Sequence, residues 1–162
     1  MRPLTSVAAI VAVALCCTAC GPTVDVAKAL ELKIVKSGWF DAGIVNGQNK
    51  LVPAVTITIT NTSDQTLGLL QVNSLFRQVT ASEEWGSAFL TAAGSEGLGP
   101  GASKTITLKS NNGYTGSGET RLDMLANSHF VDAKVEVFAK YGSTQWKKLG
   151  DYPVTRQLIE KS

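Results

Sequence analysis

Apolar and polar residues alternate along most of this 162-residue chain, and a period of two predicts β-strands. The clearest strand spans 52–60, where Val55, Ile57 and Ile59 alternate with three threonines. β-branched residues on both faces are typical of a pleated, half-buried surface. The same alternation predicts further strands at 30–35, 69–80, 103–109, 133–141 and 145–151, with shorter candidates at 39–45, 88–92 and 154–159.

Turn residues separate the predicted strands. Ser37-Gly38 is expected to interrupt the first strand, and Asn46-Gly47 predicts a tight hairpin. Gly142-Ser143 predicts a two-residue type II′ hairpin, because its glycine comes first. The stretch 94–101 holds four glycines and a proline, and it predicts a loop.

The segment 110–132 is the exception, because it lacks strand-like alternation. Residues 121–127 predict one or two helical turns within it. Long connections are uncommon in compact domains and are often binding loops. About seven short strands and almost no helical periodicity predict an all-β fold, an antiparallel sandwich with a long loop at 110–132.

The order of turns and strands carries a resemblance to a known group of proteins. Asn61-Thr62-Ser63-Asp64 ends one strand, Leu98-Gly99-Pro100-Gly101 precedes another, and a Val-x-Val strand begins a late hairpin. This order resembles the immunoglobulin-like domains of small, mostly uncharacterised bacterial lipoproteins, over about 30–158. The resemblance implies an immunoglobulin-like sandwich. It implies no active-site residues, since its motifs are turns.

The first residues predict an export signal. Arg2 is followed by an apolar run at 7–15 and then by small residues, which is typical of a secretory signal peptide. The whole apolar stretch, 4–19, is shorter than the roughly 20 residues that a membrane-spanning helix needs. We therefore predict a signal peptide rather than a permanent membrane helix.

Thr18-Ala19-Cys20-Gly21 resembles the lipobox of bacterial lipoproteins, in which a cysteine is lipidated and becomes N-terminal. The resemblance implies acyl chains such as palmitate on Cys20, and more than one chain gives firm anchoring to a membrane. Gly21 implies the outer membrane where the host has two. The alternative is a cleaved signal that leaves Cys20 as an ordinary secreted cysteine. The predicted organisation is a signal peptide at 1–19, a lipidated cysteine and tether at 20–29, and the sandwich at 30–162.

Cysteine and charge counts limit how the domain can be stabilised and which partners it can bind. All three cysteines lie at positions 16, 17 and 20, so the predicted domain must be stable without disulfides. Lysine and arginine together number 15, against 13 acidic residues. This balance argues against nucleic acid as a partner, because nucleic-acid binding requires a basic patch.

Two glycine-rich stretches superficially match catalytic motifs. Residues 97–105 lack the glycine that a phosphate-binding loop has before its lysine, because Ser103 stands there. Residues 93–97 come close to a nucleophile elbow around Ser95, but the Gly-Pro-Gly run that follows is incompatible with the helix that this motif requires. We interpret both stretches as turns.

His129 is the only histidine in the chain and the one candidate for a histidine general base. A small envelope hydrolase that uses His129 with a nearby Asp or Ser is therefore the enzymatic alternative, and Asp123 and Asp132 are close to it in sequence. No spacing of His, Cys, Asp or Glu is typical of a metal site. We predict neither a metal nor a cofactor.

Large aromatic residues are the remaining candidates for function. Trp39, Phe40, Trp85 and Tyr114 lie in or beside predicted loops, where such side chains serve as binding anchors. We predict Trp39, Trp85 and Tyr114 as ligand or partner contacts. The alternative is that these rings close the open ends of the sandwich. The sequence thus predicts a non-catalytic envelope lipoprotein that binds a protein or glycan, with a hydrolase or a structural spacer as alternatives.

Overall fold

Nine strands and two short helices make up residues 23–159, the part of the chain that the computed structural model describes. In chain order the elements are α1 (Val26–Ala29), β1 (Leu30–Val45), β2 (Gln48–Asn61), β3 (Leu70–Gln78), β4 (Gly86–Ala93), β5 (Ser103–Lys109), β6 (Tyr114–Gly116), α2 (Arg121–Ala126), β7 (Ala133–Tyr141), β8 (Lys147–Pro153) and β9 (Leu158–Ile159).

The strands form two sheets that pack face to face. The first has the order β5-β2-β1-β9, with β6 pairing with residues 49–51 of β2 on the edge that β5 pairs with at 54–60, and the second has the order β4-β3-β7-β8. All pairs are antiparallel except β1 with β9. The predicted all-β sandwich is therefore confirmed. Of the two shortest strands, β9 lies within the candidate predicted at 154–159, whereas alternation did not reveal β6.

The period-two pattern of β2 separates the core from the solvent. Val55, Ile57 and Ile59 are fully buried between the sheets. On the outer face, hydroxyl groups of β2 and β5 pair across the strands at 2.7–2.9 Å: Thr56 with Thr107, Thr58 with Thr105, and Thr60 with Ser103. Apolar burial and cross-strand polar pairs thus stabilise the two faces of the same strand.

The expected break at Ser37-Gly38 is wrong, because β1 runs through both residues. The buried Ser37 hydroxyl donates to the Pro153 carbonyl and accepts from the Thr155 N–H, each at 3.1 Å. A Cβ on Gly38 would lie 2.6 Å from the Gln157 carbonyl oxygen. The small residues therefore allow the C-terminal segment to pack closely on the strand.

The two predicted hairpins have different outcomes. Asn46 and Gly47 have φ angles of 52° and 77°, and two positive φ angles are what a type I′ hairpin requires. The two-residue turn predicted at Gly142-Ser143 is wrong, because the connection between β7 and β8 spans 142–146. Thr144 holds this longer loop, since its hydroxyl donates to the Tyr141 carbonyl at 2.7 Å.

Residues 26–29 of the predicted tether form a helix that packs on the sandwich. Val26 and Ala29, both in α1, are each only 2% exposed and belong to the core. Asp25 caps α1 by accepting a hydrogen bond from the Ala27 N–H. The part of 20–29 that the structure describes is therefore mostly folded onto the sandwich, while Cys20 and the predicted signal peptide lie outside the described residues.

The sandwich has two distinct ends. The α1 end is formed by α1 and the connections 61–69, 94–102 and 142–146. The long-loop end is formed by the hairpin 46–47 and the connections 79–85, 110–132 and 154–157. The helical turn predicted at 121–127 is confirmed as α2, which lies at the long-loop end.

Candidate functional site

Four aromatic rings meet at the long-loop end and form what we call the aromatic cluster, Trp39, Trp85, Tyr114 and Phe130. The ring centroids of Trp39 and Phe130 lie 4.5 Å apart in an edge-to-face arrangement. Tyr114 lies 4.8 Å from Trp85 and 4.7 Å from Phe130. These separations are typical of favourable aromatic pairs. The cluster therefore closes this end of the core.

Trp39, which the sequence placed in or beside a loop at the start of a short strand candidate, lies within the long strand β1, where it is fully buried. It therefore contacts other core side chains and presents no surface to a partner. Its indole N–H has no hydrogen-bond partner among residues 23–159. The size of the ring, rather than its polar atom, thus accounts for its packing at this position.

Trp85 and Tyr114 are half-buried, and backbone pairing holds both in place. The Trp85 N–H donates to the Phe76 carbonyl at 2.8 Å, just before β4 begins. Tyr114 opens β6, which pairs with β2 at Leu51. A Cβ on Gly113 would collide with the Leu51 backbone, so glycine allows this close pairing.

The hydroxyl group of Tyr114 points into the protein. It accepts a hydrogen bond from Gln78 Nε2 at 2.7 Å and donates to the Val131 carbonyl at 3.2 Å. These bonds connect β3 with the long loop. Tyr114 thus helps to close the sandwich, as the alternative interpretation of the aromatic residues predicted, while part of its ring lines a pocket at the surface.

Polar contacts order the long loop despite its lack of periodicity. Thr120 and Asp123 form a reciprocal capping box at the start of α2. Hydrogen bonds from the Thr120 hydroxyl and N–H hold the pKa of Asp123 below its usual value. Near the end of the loop, Arg156 pairs with Asp132 at 2.8 Å and donates to the Phe130 carbonyl at 3.0 Å. The loop therefore offers a fixed surface.

This surface contains an open pocket of about 140 Å³. The rings of Tyr114 and Phe130 and the side chain of Met124 supply its apolar wall. Its polar residues are Thr115, Glu119, Asn127 and His129. Asn127 Nδ2 donates to Glu119 Oε1 at 3.1 Å, which positions both side chains at the rim. The pocket thus combines aromatic rings with a few placed polar groups, as ligand sites do.

His129 is an exposed residue at the rim of this pocket. Its backbone N–H donates to Asn127 Oδ1 at 2.9 Å, but its ring makes no hydrogen bond within residues 23–159. Ser95 lies at the α1 end, so it cannot form a nucleophile–base pair with His129. The hydrolase hypothesis therefore gains no catalytic hydrogen bond from the described part of the chain.

The two glycine-rich stretches lie together at the α1 end. Glu96 Oε1 accepts from the Gly94 N–H at 3.0 Å, and Leu67 and Leu98 exchange backbone hydrogen bonds at 3.0 Å. Strand β5 follows, where a phosphate-binding loop or a nucleophile elbow would need a helix. Their interpretation as turns is confirmed. Between residues 23 and 159 no group of three or more His, Cys, Asp or Glu side chains could hold a metal ion.

The sequence missed the partners that complete the pocket, namely Glu119, Met124, Asn127 and Phe130. Only the Thr120-x-x-Asp123 spacing signalled a fixed helix start here. The position of Met124 depends on Gly116, because a Cβ on this glycine would lie 2.9 Å from the Met124 side chain. This contact depends on how the loop folds back on β2, which alternation does not encode.

Comparisons with known proteins add little. No family model and no curated protein matches the sequence. A solved structure described as "X-ray structure of Northeast Structural Genomics Consortium target SoR45" is 12% identical, with a TM-score of 0.44, and the match covers 80% of this chain and 89% of the other. A likeness at that score supports no functional argument. None of the helices within residues 23–159 has the length and apolar character to cross a membrane.

Proposed function

We propose that this protein is a non-catalytic binding module of the bacterial cell envelope, lipid-anchored through Cys20 and binding a glycan at the long-loop end. The pocket formed by Tyr114, Phe130 and the polar rim is the observation that carries the binding function. Export and lipidation are supported by the sequence alone, through the apolar run at 7–15 and the lipobox-like Thr18-Ala19-Cys20-Gly21.

The size and chemistry of the pocket favour a sugar ring. Pockets for whole small molecules usually measure about 300–1,000 Å³. A pocket of about 140 Å³ suits one ring or one terminal group of a larger partner. The half-buried ring of Tyr114 offers an apolar surface beside the buried Phe130, while Glu119, Asn127 and Thr115 offer hydrogen-bonding groups to hydroxyls at the edge of a sugar.

Binding to glycans is tested with saccharides prepared from the envelope, using titration of the purified protein. Glu119→Gln removes a charged acceptor, and His129→Ala removes an exposed ring at the rim. Glu119→Gln should weaken binding roughly tenfold, since one hydrogen bond to a charged group contributes about 1.5–3 kcal/mol, and His129→Ala should weaken binding several-fold, since it removes a hydrogen-bonding ring at the rim. Glu96→Gln is the matched control, because Glu96 lies at the α1 end and should leave affinity unchanged.

Two results would contradict the proposal that a glycan binds at the long-loop end. If the Glu119 and His129 variants bind as tightly as the wild type, the glycan contact lies elsewhere. If no saccharide binds, but a purified envelope protein is captured and lost with the same variants, the partner is a protein instead.

The anchor is tested by Cys20→Ser. Wild-type protein should incorporate labelled fatty acid and sediment with membranes, whereas Cys20→Ser should do neither. Cys17→Ser is the matched control, because it removes a neighbouring thiol and leaves Cys20 in place. Continued labelling of Cys20→Ser would contradict lipidation at this residue.

A further inference from the structure

A patch of exposed apolar and basic side chains lies at and beside the α1 end. Phe89 is 59% exposed and Trp146 is 38% exposed, although their rings lie only 6.2 Å apart in an edge-to-face pair. Lys140 Nζ lies 5.2 Å from the Trp146 ring centroid. Lys147 follows Trp146 directly in the chain. We call Phe89, Lys140, Trp146 and Lys147 the Trp146 patch.

The first described residues of the chain lie beside this patch. The Val24 N–H donates to Tyr141 Oη at 2.7 Å, and the Tyr141 hydroxyl donates to the Val24 carbonyl at 3.2 Å. Residues 23–26 line one open groove together with residues 143–145 and Lys147. The chain therefore emerges next to the β7–β8 connection, which carries Trp146.

We propose that the Trp146 patch is a contact with the lipid surface to which the protein is anchored. This inference rests on the proposed anchor at Cys20. Three residue steps separate Cys20 from Thr23, so the two Cα atoms are at most about 11 Å apart whatever path the chain takes. The headgroup region extends roughly 5–8 Å beyond the hydrocarbon core. The anchor thus holds the start of the described chain within about 11 Å of the lipidated residue, next to the headgroup region.

The chemistry of the patch suits this position. Tryptophan concentrates at membrane–water interfaces, because its ring is apolar and its N–H is polar. Lysine side chains near an anionic surface are attracted to it. Asp64 and Glu96 are exposed acidic residues on the other connections of the same end, whereas Asp25, just before α1, lines the groove together with Lys147. An anionic surface therefore favours contact on the side of Lys140 and Lys147.

The test uses the full-length lipidated protein, purified from membranes and reconstituted into vesicles of phosphatidylcholine and phosphatidylglycerol. Bromine on the upper part of the acyl chains quenches tryptophan emission only at short range. Trp85→Phe leaves Trp146 as the only emitter besides buried Trp39. Trp146→Phe leaves Trp85 instead, at the opposite end, and is the matched control. Circular dichroism verifies that both variants fold.

We expect several-fold stronger quenching in Trp85→Phe than in Trp146→Phe. Replacing phosphatidylglycerol by phosphatidylcholine, or changing both Lys140 and Lys147 to Gln, should reduce the quenching of Trp146. Flotation of the protein with the vesicles reports the anchor independently of fluorescence.

Two outcomes would overturn the inference. In the first, the protein floats with the vesicles but both variants show equal, weak quenching. This result would support the anchor and refute the lipid contact, and the patch would then be a candidate site for a protein partner. Protein that does not float at all refutes the anchor and, with it, a contact that depends on the anchor.

Discussion

The two ends of the sandwich are closed by different physical means. At the long-loop end, Trp39 and Phe130 fill the opening with apolar area. At the α1 end, the fully buried Asn61 connects backbone segments: its Nδ2 donates to the Gln65 and Leu98 carbonyls at 2.7 and 2.8 Å, and its Oδ1 accepts from the Ser63 N–H at 3.0 Å. The long-loop end thus depends mainly on the packing of large rings, whereas the α1 end combines smaller apolar side chains with a buried network of side-chain hydrogen bonds.

This difference explains why aromatic residues have opposite environments at the two ends. The long-loop end needs large rings to cover the core, so Trp39 has no exposed surface. The α1 end is closed by Asn61, Leu67 and Leu98 together with α1, so Trp146 is not needed for closure and stays partly exposed. An aromatic residue at a sandwich end therefore indicates binding only where other groups already close that end.

The largest effect is expected from truncating the ring that fills the long-loop end. Trp39→Ala should lower the free energy of unfolding by about 3–5 kcal/mol, because it leaves a large cavity in the core. Trp146→Ala should cost less than about 1 kcal/mol, since this ring is partly exposed. Urea unfolding followed by circular dichroism measures both.

Trp39→Phe is a less disruptive substitution that tests the same position if the alanine variant does not fold. It should be less destabilising, because it keeps an aromatic ring and removes an N–H that has no hydrogen-bond partner within residues 23–159. If Trp39→Ala and Trp146→Ala lower the free energy of unfolding equally, the proposed difference between the two ends is wrong.

The next largest effect is expected at the α1 end. Asn61→Ala leaves the buried Leu98 carbonyl without its side-chain donor and should destabilise the fold by about 1–3 kcal/mol. Asn73→Ala is the matched control, because Asn73 lies on the outer face of β3 and its amide makes no hydrogen bond within the described residues. Thermal unfolding compares the two, and equal midpoints would refute the role of Asn61.

A smaller loss of stability is expected at Tyr114, where one substitution distinguishes a role in closing the sandwich from a role in binding the ligand. Tyr114→Phe removes the hydrogen bonds to Gln78 and Val131, so unfolding should become easier by about 0.5–1.5 kcal/mol. Tyr152→Phe is the control, since the Tyr152 hydroxyl has no hydrogen-bond partner in the described part of the chain. Glycan affinity should persist in Tyr114→Phe, because the ring remains. Lost affinity with unchanged stability would show that the hydroxyl binds the ligand.

The smallest effect concerns the outer face of the second sheet, between the two ends. Lys148 and Arg77 both donate to the Glu136 carboxylate, at 2.8 and 2.9 Å, and they hold its pKa below the ordinary value of 4.5. Because the folded-state pKa is lowered, the stabilisation is complete above the unfolded-state pKa. It is lost as the pH falls through the folded-state value.

Glu136→Gln should therefore cost about 0.2–1 kcal/mol at pH 7, the range of exposed ion pairs. The difference from wild type should shrink below about pH 4.5. Urea unfolding at several pH values measures it. A difference that stays constant from pH 7 to pH 3 would show that shape, rather than charge, matters at this position.

Prediction from the sequence succeeded where local patterns decide the structure. Alternation at 52–60 identified both faces of β2, and Asn46-Gly47 identified its hairpin, because strand faces and positive φ angles depend on neighbouring residues. It failed at Ser37-Gly38, where small residues allow the close approach of Gln157. A contact across about 120 positions leaves no periodic signal.

The candidate site shows the same difference between features that local sequence patterns predict and features that depend on tertiary packing. The sequence by itself determined an all-β sandwich, one or two helical turns at 121–127 and the presence of a few large aromatic residues. Only the tertiary structure decided that Trp39 is core, that Tyr114 and Phe130 line one pocket, and that the β7–β8 connection, which carries Trp146, lies beside the start of the described chain. The physical reason is that burial depends on which distant strands pack together, whereas propensity and periodicity describe only neighbours.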